Sequence, residues 1–318
     1  REEGVADVSD LDIIEHAFSS PATSRPRMDI AAMQAQGWRP QVALEVQELR
    51  KRFGGIAAVD GPSFKLYQGE ILGLIGSNGA GKTTILDLIS GFTPLDSGRV
   101  ILDGTDVSDW APDLRAQARL GRSFQAATLF PSLTVREVIA VALERHITMR
   151  DPFSLAFQAI SPAARQSERD VDVRVEELIE LMAIGAFRDK FISELSTGSR
   201  RMVDIACSLA HDPKVLLLDE PSSGIAQRET EQLGPLLQRI QQELGASLLV
   251  IEHDMPLITS IADRMIALEL GAVIAEGAPD DVLHDPRVIA SYLGMDTEVS
   301  VLQRSGATDT TGTKGGVA

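Results

Sequence analysis

Apolar residues arrive in short blocks separated by polar and glycine-rich breaks, and the blocks alternate between a strand period and a helix period. Val42 to Phe53, Glu70 to Ile75, Gly98 to Leu102, Val215 to Leu218 and Ser247 to Glu252 read as strands, whereas Ile85, Leu88 and Ile89 recur at helical spacing through Thr84 to Ser90. The four consecutive aliphatic residues from Val215 to Leu218 suit a strand covered on both faces. Strands alternating with helices predict an α/β fold with a largely parallel sheet under helices. There is no internal repeat of solenoid period, and no apolar run approaches the ~20 residues that a membrane-crossing helix needs.

The ends depart from this pattern. Residues 1 to about 40 mix charge, Pro and Ser around one brief helical candidate, Asp10 to Phe18, and are expected to form a flexible linker. From about residue 297 the chain is rich in Ser, Gly and Thr, as a solvated tail would be. Neither end resembles a secretory signal. Arg1 is an unusual product of initiator-methionine trimming, so the chain is expected to derive from a longer precursor or fusion.

Composition narrows the function classes. At 318 residues and 44% hydrophobic content, the chain can bury a sizeable core. Its formal charge of −16 opposes broad binding to nucleic acid, which depends on many cationic contacts to phosphates. The single cysteine, Cys207, rules out an intramolecular disulfide and reads as a small core residue of a helix. A reducing, cytosolic setting fits.

The chemistry begins at Gly76-Ser77-Asn78-Gly79-Ala80-Gly81-Lys82-Thr83, which meets the G-x-x-x-x-G-K-[ST] phosphate-loop pattern at every fixed position and lies between a strand and a helix that opens with Thr84. Its glycines let backbone N–H groups turn inward, so donors and the positive helix end converge on phosphates. Lys82 is expected to neutralise the β- and γ-phosphates, and Thr83 to hold Mg²⁺. Asp219 and Glu220 end the aliphatic strand; alternation along it is expected to point them to opposite faces, Asp219 to the Mg²⁺ shell and Glu220 to the hydrolytic water. His253, after another strand, could place an imidazole at the γ-phosphate, whereas His16, His146, His211 and His284 have no comparable setting. Phe53, ahead of Gly54-Gly55, could stack on adenine, although an aromatic near a strand end is more often core. Gln125, at the end of Gly121-Arg122-Ser123-Phe124-Gln125, could reach Mg²⁺ or the attacking water, although alone it would read as surface. No paired His/Cys spacing argues for zinc.

The order Phe53, Gly76 to Thr83, Gln125, Leu195-Ser196-Thr197-Gly198, Asp219-Glu220 and His253 closely resembles the ATP-binding cassette (ABC) ATPases, over roughly residues 42 to 295. The resemblance implies a P-loop NTPase core of ABC type at residues 41–296, with an N-terminal antiparallel β region and an inserted helical subdomain at about 126–212. It implies ATP and Mg²⁺ as cofactors, and pairing with a second ABC ATPase domain. Ser196 and Gly198, with a helix opening after Gly198, would then cover ATP held by the other domain's phosphate loop. A permease or a fused membrane domain and a solute-binding protein are further implied partners, with the chain peripheral at the cytoplasmic face of the membrane. Lys51-Arg52-Phe53-Gly54-Gly55, Leu129-Phe130-Pro131, Ile251-Glu252-His253-Asp254-Met255 and the ending Val288 to Gly294 resemble the branched-chain amino acid and amide uptake subgroup. Two positions depart from the family: Ser199 stands where Gln is frequent, keeping a hydroxyl donor, and Ala226 stands where Asp is common, removing a charged contact across the pair. The alternatives are a cassette of a larger membrane fusion and a soluble ATP-driven switch on DNA, ribosomes or a protein assembly. Against the switch stand the single cassette and the absence of a sustained heptad run.

Overall fold

The computed structural model describes residues 26–37, 39–124, 129–143 and 162–292. In chain order, a short helix α1 (Ile30–Ala35) precedes strands β1 (Val42–Phe53), β2 (Ile56–Asp60), β3 (Phe64–Tyr67) and β4 (Ile71–Gly76), and helix α2 (Lys82–Ser90). Then come β5 (Ser97–Leu102), β6 (Thr105–Asp106), α3 (Pro112–Gln117) and β7 (Leu120–Arg122). Helices α4 (Val135–Leu143), α5 (Pro162–Leu181) and α6 (Thr197–Leu209) follow, and they occupy the stretch expected to be a helical insert. The chain continues through β8 (Val215–Asp219), α7 (Gln227–Leu244), β9 (Ser247–Ile251), α8 (Met255–Ile261), β10 (Arg264–Glu269), β11 (Ala272–Gly277) and α9 (Pro279–Leu283), and is again helical over 286–292.

Two sheets result. The antiparallel one has the order β2-β1-β5-β6, with β3 also paired to the long β1. The other runs β11-β10-β4-β9-β8-β7, and all its pairings are parallel except β10 with β11. The α/β expectation with an antiparallel N-terminal region therefore matches the fold.

The aliphatic blocks at Glu70 to Ile75, Val215 to Leu218 and Ser247 to Glu252 supply the inner strands β4, β8 and β9 of this second sheet, and every residue of these strands is buried. Alternate side chains serve two cores. Ile71, Ile75, Leu216, Leu218, Leu248 and Val250 pack with the helical insert, whereas Leu72, Leu74, Leu217, Leu249 and Ile251 pack with α2 and the antiparallel sheet. Burial on both faces explains why these strands lack polar alternation.

One expectation changes. Part of the first 40 residues, assigned from composition to a linker, is docked on the cassette. Asp29 caps α1 by accepting from Ala32 N, and Ile30 is buried. Asp263 accepts from Met28 N at 2.6 Å and from Ile71 N at 2.9 Å, so one carboxylate joins this segment to the start of β4. The helical candidate Asp10 to Phe18 and the tail from 297 lie outside the described residues. Asp263→Ala should cost about 1–3 kcal/mol, the usual penalty for leaving buried donors unsatisfied, and should speed proteolysis within residues 26–37; urea titration and timed digestion measure the two effects.

Candidate active site

Parallel pairing brings the C-terminal ends of β4, β9 and β8 to one edge of the sheet, the edge at which open α/β sheets bind ligands. From β4 the chain enters the glycine loop and then α2, whose first residue is Lys82. Gly76, Gly79 and Gly81 have φ of 152°, 83° and 99°, which turn the Ser77, Asn78 and Ala80 backbone into an anion-binding curve. At Gly81 the requirement is also steric, since a Cβ there would lie 2.4 Å from the Ala58 carbonyl oxygen of β2.

Lys82 is buried and its Nζ donates to the carbonyls of Gly76 at 2.7 Å and Ser77 at 3.0 Å, so the ammonium lies across the loop mouth. Burial holds its pKa below the ordinary lysine range, opposed by the negative charges of Glu220 and Asp219. Thr83 and Thr84 occupy the first turn of α2, and Thr83 Oγ1 stands 3.5 Å from Asp219 Oδ1. A hydroxyl and a carboxylate are the hard oxygen donors that Mg²⁺ takes in ones and twos from a protein, leaving its other positions to water and phosphate. The residues therefore fit the ion. Burial pushes the Asp219 carboxyl up, and the Arg122 guanidinium pulls it down.

The two acids separate for a reason other than the one expected. Strand alternation would have sent them to opposite faces, but β8 ends at Asp219 and Glu220 adopts φ 47°, a left-handed turn. Its N–H donates to Ile251 O at 3.0 Å, which ties the turn to β9. The Glu220 carboxylate thereby meets His253, with Oε1 and Nε2 3.0 Å apart.

Sequence reasoning overlooked two residues that hold this arrangement. Glu252 is buried, accepts from Ser222 N and Ser222 Oγ, both at 2.7 Å, and accepts from His253 N at 3.1 Å. It binds the loop after Glu220 to the backbone of His253, and burial raises its pKa. Arg201, in α6, donates to Asp219 O at 2.8 Å, to Pro221 O at 3.3 Å and to Phe124 O. It connects the Leu-Ser-x-Gly helix to the acidic strand end. For Glu252 the available signal was an acid directly after the apolar run Leu248 to Ile251, whereas Arg201, beside Arg200 in an amphipathic helix, gave none.

Ser196 and Gly198 are carried separately, on α6. That helix starts at Thr197 rather than after Gly198, because Ser196 is its N-cap and accepts from Ser199 N at 3.1 Å. Ser199 is fully buried with its Oγ 3.0 Å from Ser196 Oγ, so the hydroxyl expected at this position is engaged with Ser196. Phe53 is half exposed at the end of β1, on the hairpin whose β2 touches Gly81, with Lys51 Nζ 5.6 Å from its ring centre. Cys207 is only partly buried, and burial of its thiol pushes the pKa up to about 12. Gln125 lies outside the described residues. Glu252→Ala should lower stability by about 1–3 kcal/mol and reduce ATP turnover more than ATP affinity; thermal melts beside binding and phosphate-release assays would show the contrast.

Comparison with known proteins agrees with this geometry. Residues 59–223 match the ABC transporter family model, and residues 272–294 match the model described as branched-chain amino acid ATP-binding cassette transporter. The chain is 35% identical over 251 residues to the high-affinity branched-chain amino acid transport ATP-binding protein BraF of Pseudomonas aeruginosa, covering 79% of this chain and 97% of that protein. It is 32% identical over 254 residues to the corresponding protein LivG of Escherichia coli K12, covering 80% and 98%. A crystal structure of an ATP-binding cassette of an ABC transporter in its ADP conformation superposes with a TM-score of 0.67 at 26% identity, over 80% of this chain and 99% of that one. With a phosphate loop, an acidic strand end and a histidine on one sheet edge, and with relatives matched along nearly their whole length, the chain belongs to the ABC transporter family as an ATP-hydrolysing cassette.

Proposed function

We propose that this cassette powers uptake of branched-chain amino acids or related amides by closing against a second ABC ATPase domain and driving a membrane permease. The observation that carries the solute class is the match of residues 272–294 to the branched-chain model, together with the names of the relatives. A solute-binding protein and a position at the cytoplasmic face of the membrane belong to the same reading. Among the described residues no helix is long and apolar enough to cross a membrane, so the reading assigns the crossing to other polypeptide.

The residues divide the work as follows. The loop amides from Gly76 to Gly81 and the N-terminus of α2 cradle the phosphates, with Lys82 as the point charge on the β- and γ-oxygens. Thr83 and Asp219 would hold Mg²⁺, with Gln125 as a further ligand, and the ion when bound would supply neutralising charge at the phosphate oxygens. Glu220 orients the attacking water and draws its proton. His253, aligned by Glu220 and by the Glu252 bond to its backbone, donates to the γ-phosphate as charge builds there. Phe53 stacks on adenine. Ser196 and Gly198 approach the γ-phosphate from the second domain, so two-fold pairing makes two composite sites. ATP that touches both domains favours the closed pair by differential binding, and hydrolysis removes that preference. Ala226, with no charge to offer across the pair, weakens communication between the two sites.

The permease surface in this reading is an apolar cleft of about 310 Å³ between the sheet and the helical insert. Phe92, Phe124, Leu120, Cys207 and Pro213 line it. The segment from Ala126 to Leu133 is assigned to the same permease contact, and Phe130 within it is exposed. A short apolar segment of the permease suits such a cleft.

Two variants test the assignments. Glu220→Gln should retain ATP binding, dimerise more persistently and lose roughly a hundredfold or more in turnover, the range for removing a general base; unchanged turnover would remove Glu220 from the role. Lys82→Ala should weaken ATP binding itself, read by equilibrium titration.

A further inference from the structure

Arg122 closes β7 with its side chain only 6% exposed. Its guanidinium donates to Ser90 Oγ at 2.6 Å and pairs with Asp87 Oδ1 at 2.7 Å, both on α2. The same terminal nitrogen stands 3.7 Å from Asp219 Oδ2, while the other carboxylate oxygen faces Thr83. The guanidinium also lies over two rings, 5.1 Å from the centre of Phe124 and 5.6 Å from that of Phe92. The rings meet edge to face at 5.2 Å. Phe92 and Phe124 are 55% and 44% exposed and belong to the lining of the apolar cleft.

One buried cation therefore touches the carboxylate of the metal shell on one side and the aromatic floor of the cleft on the other. Asp87 is the tight partner and Asp219 the loose one, so a small displacement of the guanidinium changes its hold on Asp219 while the Asp87 pair persists. An arginine suits this place because its planar group stacks on aromatic faces while its edge addresses carboxylates. A lysine would keep the charge but lose the stack.

We propose that Arg122 is a positioning residue for Asp219, steadied by Phe92 and Phe124, so that contact at the cleft and Mg²⁺ binding at the nucleotide are coupled through this single guanidinium. The proposal rests on the reading of Asp219 as a Mg²⁺ residue and of the cleft as the permease surface. Its content is energetic, since any partner that moves the two rings also moves the group that orients the carboxylate.

The test is a Mg²⁺ titration of fluorescent ATP-analogue binding to the full chain, with binding in EDTA as the reference. Arg122→Met should raise the Mg²⁺ concentration for half-maximal response about tenfold, the lower end of the effect of losing an outer-shell partner, and leave binding in EDTA unchanged. Arg122→Lys should recover part of the loss. Phe124→Ala should shift the response in the same direction and add nothing in the Arg122→Met background. Circular dichroism checks that each variant folds; Phe124 is exposed enough for its variant, with Arg122→Lys, to decide the matter if Arg122→Met does not. If Asp219→Asn shifts the Mg²⁺ response while the Arg122 and Phe124 variants keep the wild-type one, the role of Arg122 is wrong. If the Phe124 and Arg122 effects simply add, the route from the cleft is wrong. If Asp219→Asn also leaves the response unchanged, the metal assignment of Asp219 falls and takes the proposal with it.

Discussion

The parallel alignment of β4, β9 and β8 is the constraint on which the site depends. Because all three strands point the same way, their carboxyl ends deliver the phosphate loop, His253 and the Asp219-Glu220 pair to one edge. Reversing any one would carry its residue to the far side of the sheet. Such pairing needs crossover connections and cover on both faces. The two cores, fed by alternate side chains of the same strands, provide that cover, so the aliphatic blocks and the chemistry at their ends are parts of one arrangement.

Charge at this edge is balanced by groups from different elements. Asp219, Glu220 and Glu252 bring negative charge into a partly dry setting, where an unpartnered carboxylate is costly. Lys82 answers from the loop and Arg122 from β7, whereas Glu252 is satisfied by Ser222 and the His253 backbone. Arg201 pairs with Asp204 within its own helix and gives its other donors to main-chain carbonyls around Asp219 and Pro221. The helical insert thus grips the backbone of the acidic turn, a physical link between the Leu-Ser-x-Gly helix and the hydrolytic residues.

Much of this was legible in the sequence, because the phosphate loop needs glycines at fixed backbone positions and the buried strands need aliphatic runs. Lys82, Thr83, Asp219, Glu220 and His253 follow directly at the ends of those strands. What the sequence concealed are residues whose work depends on partners distant along the chain. Arg201, Glu252 and Arg122 sat within quoted or adjacent segments, yet their roles are set by carbonyls, hydroxyls and rings that only the fold brings near. The left-handed turn at Glu220 was hidden for a related reason, since it is imposed by a bond to β9. Docking of α1 was concealed as well, because the charge, Pro and Ser around this short apolar helix say nothing of Asp263, just ahead of β10. Ser199 shows the same limit in miniature: its hydroxyl was foreseen, and its burial against Ser196 was not.

The central claim is that one sheet edge, closed by a second ABC ATPase domain, hydrolyses ATP with Mg²⁺. Phosphate release by the purified full chain, measured across a range of protein concentrations with and without Mg²⁺, tests it most directly. The account predicts Mg²⁺-dependent release whose rate per chain rises with concentration as composite sites form. Absence of Mg²⁺-dependent release at every concentration would contradict it.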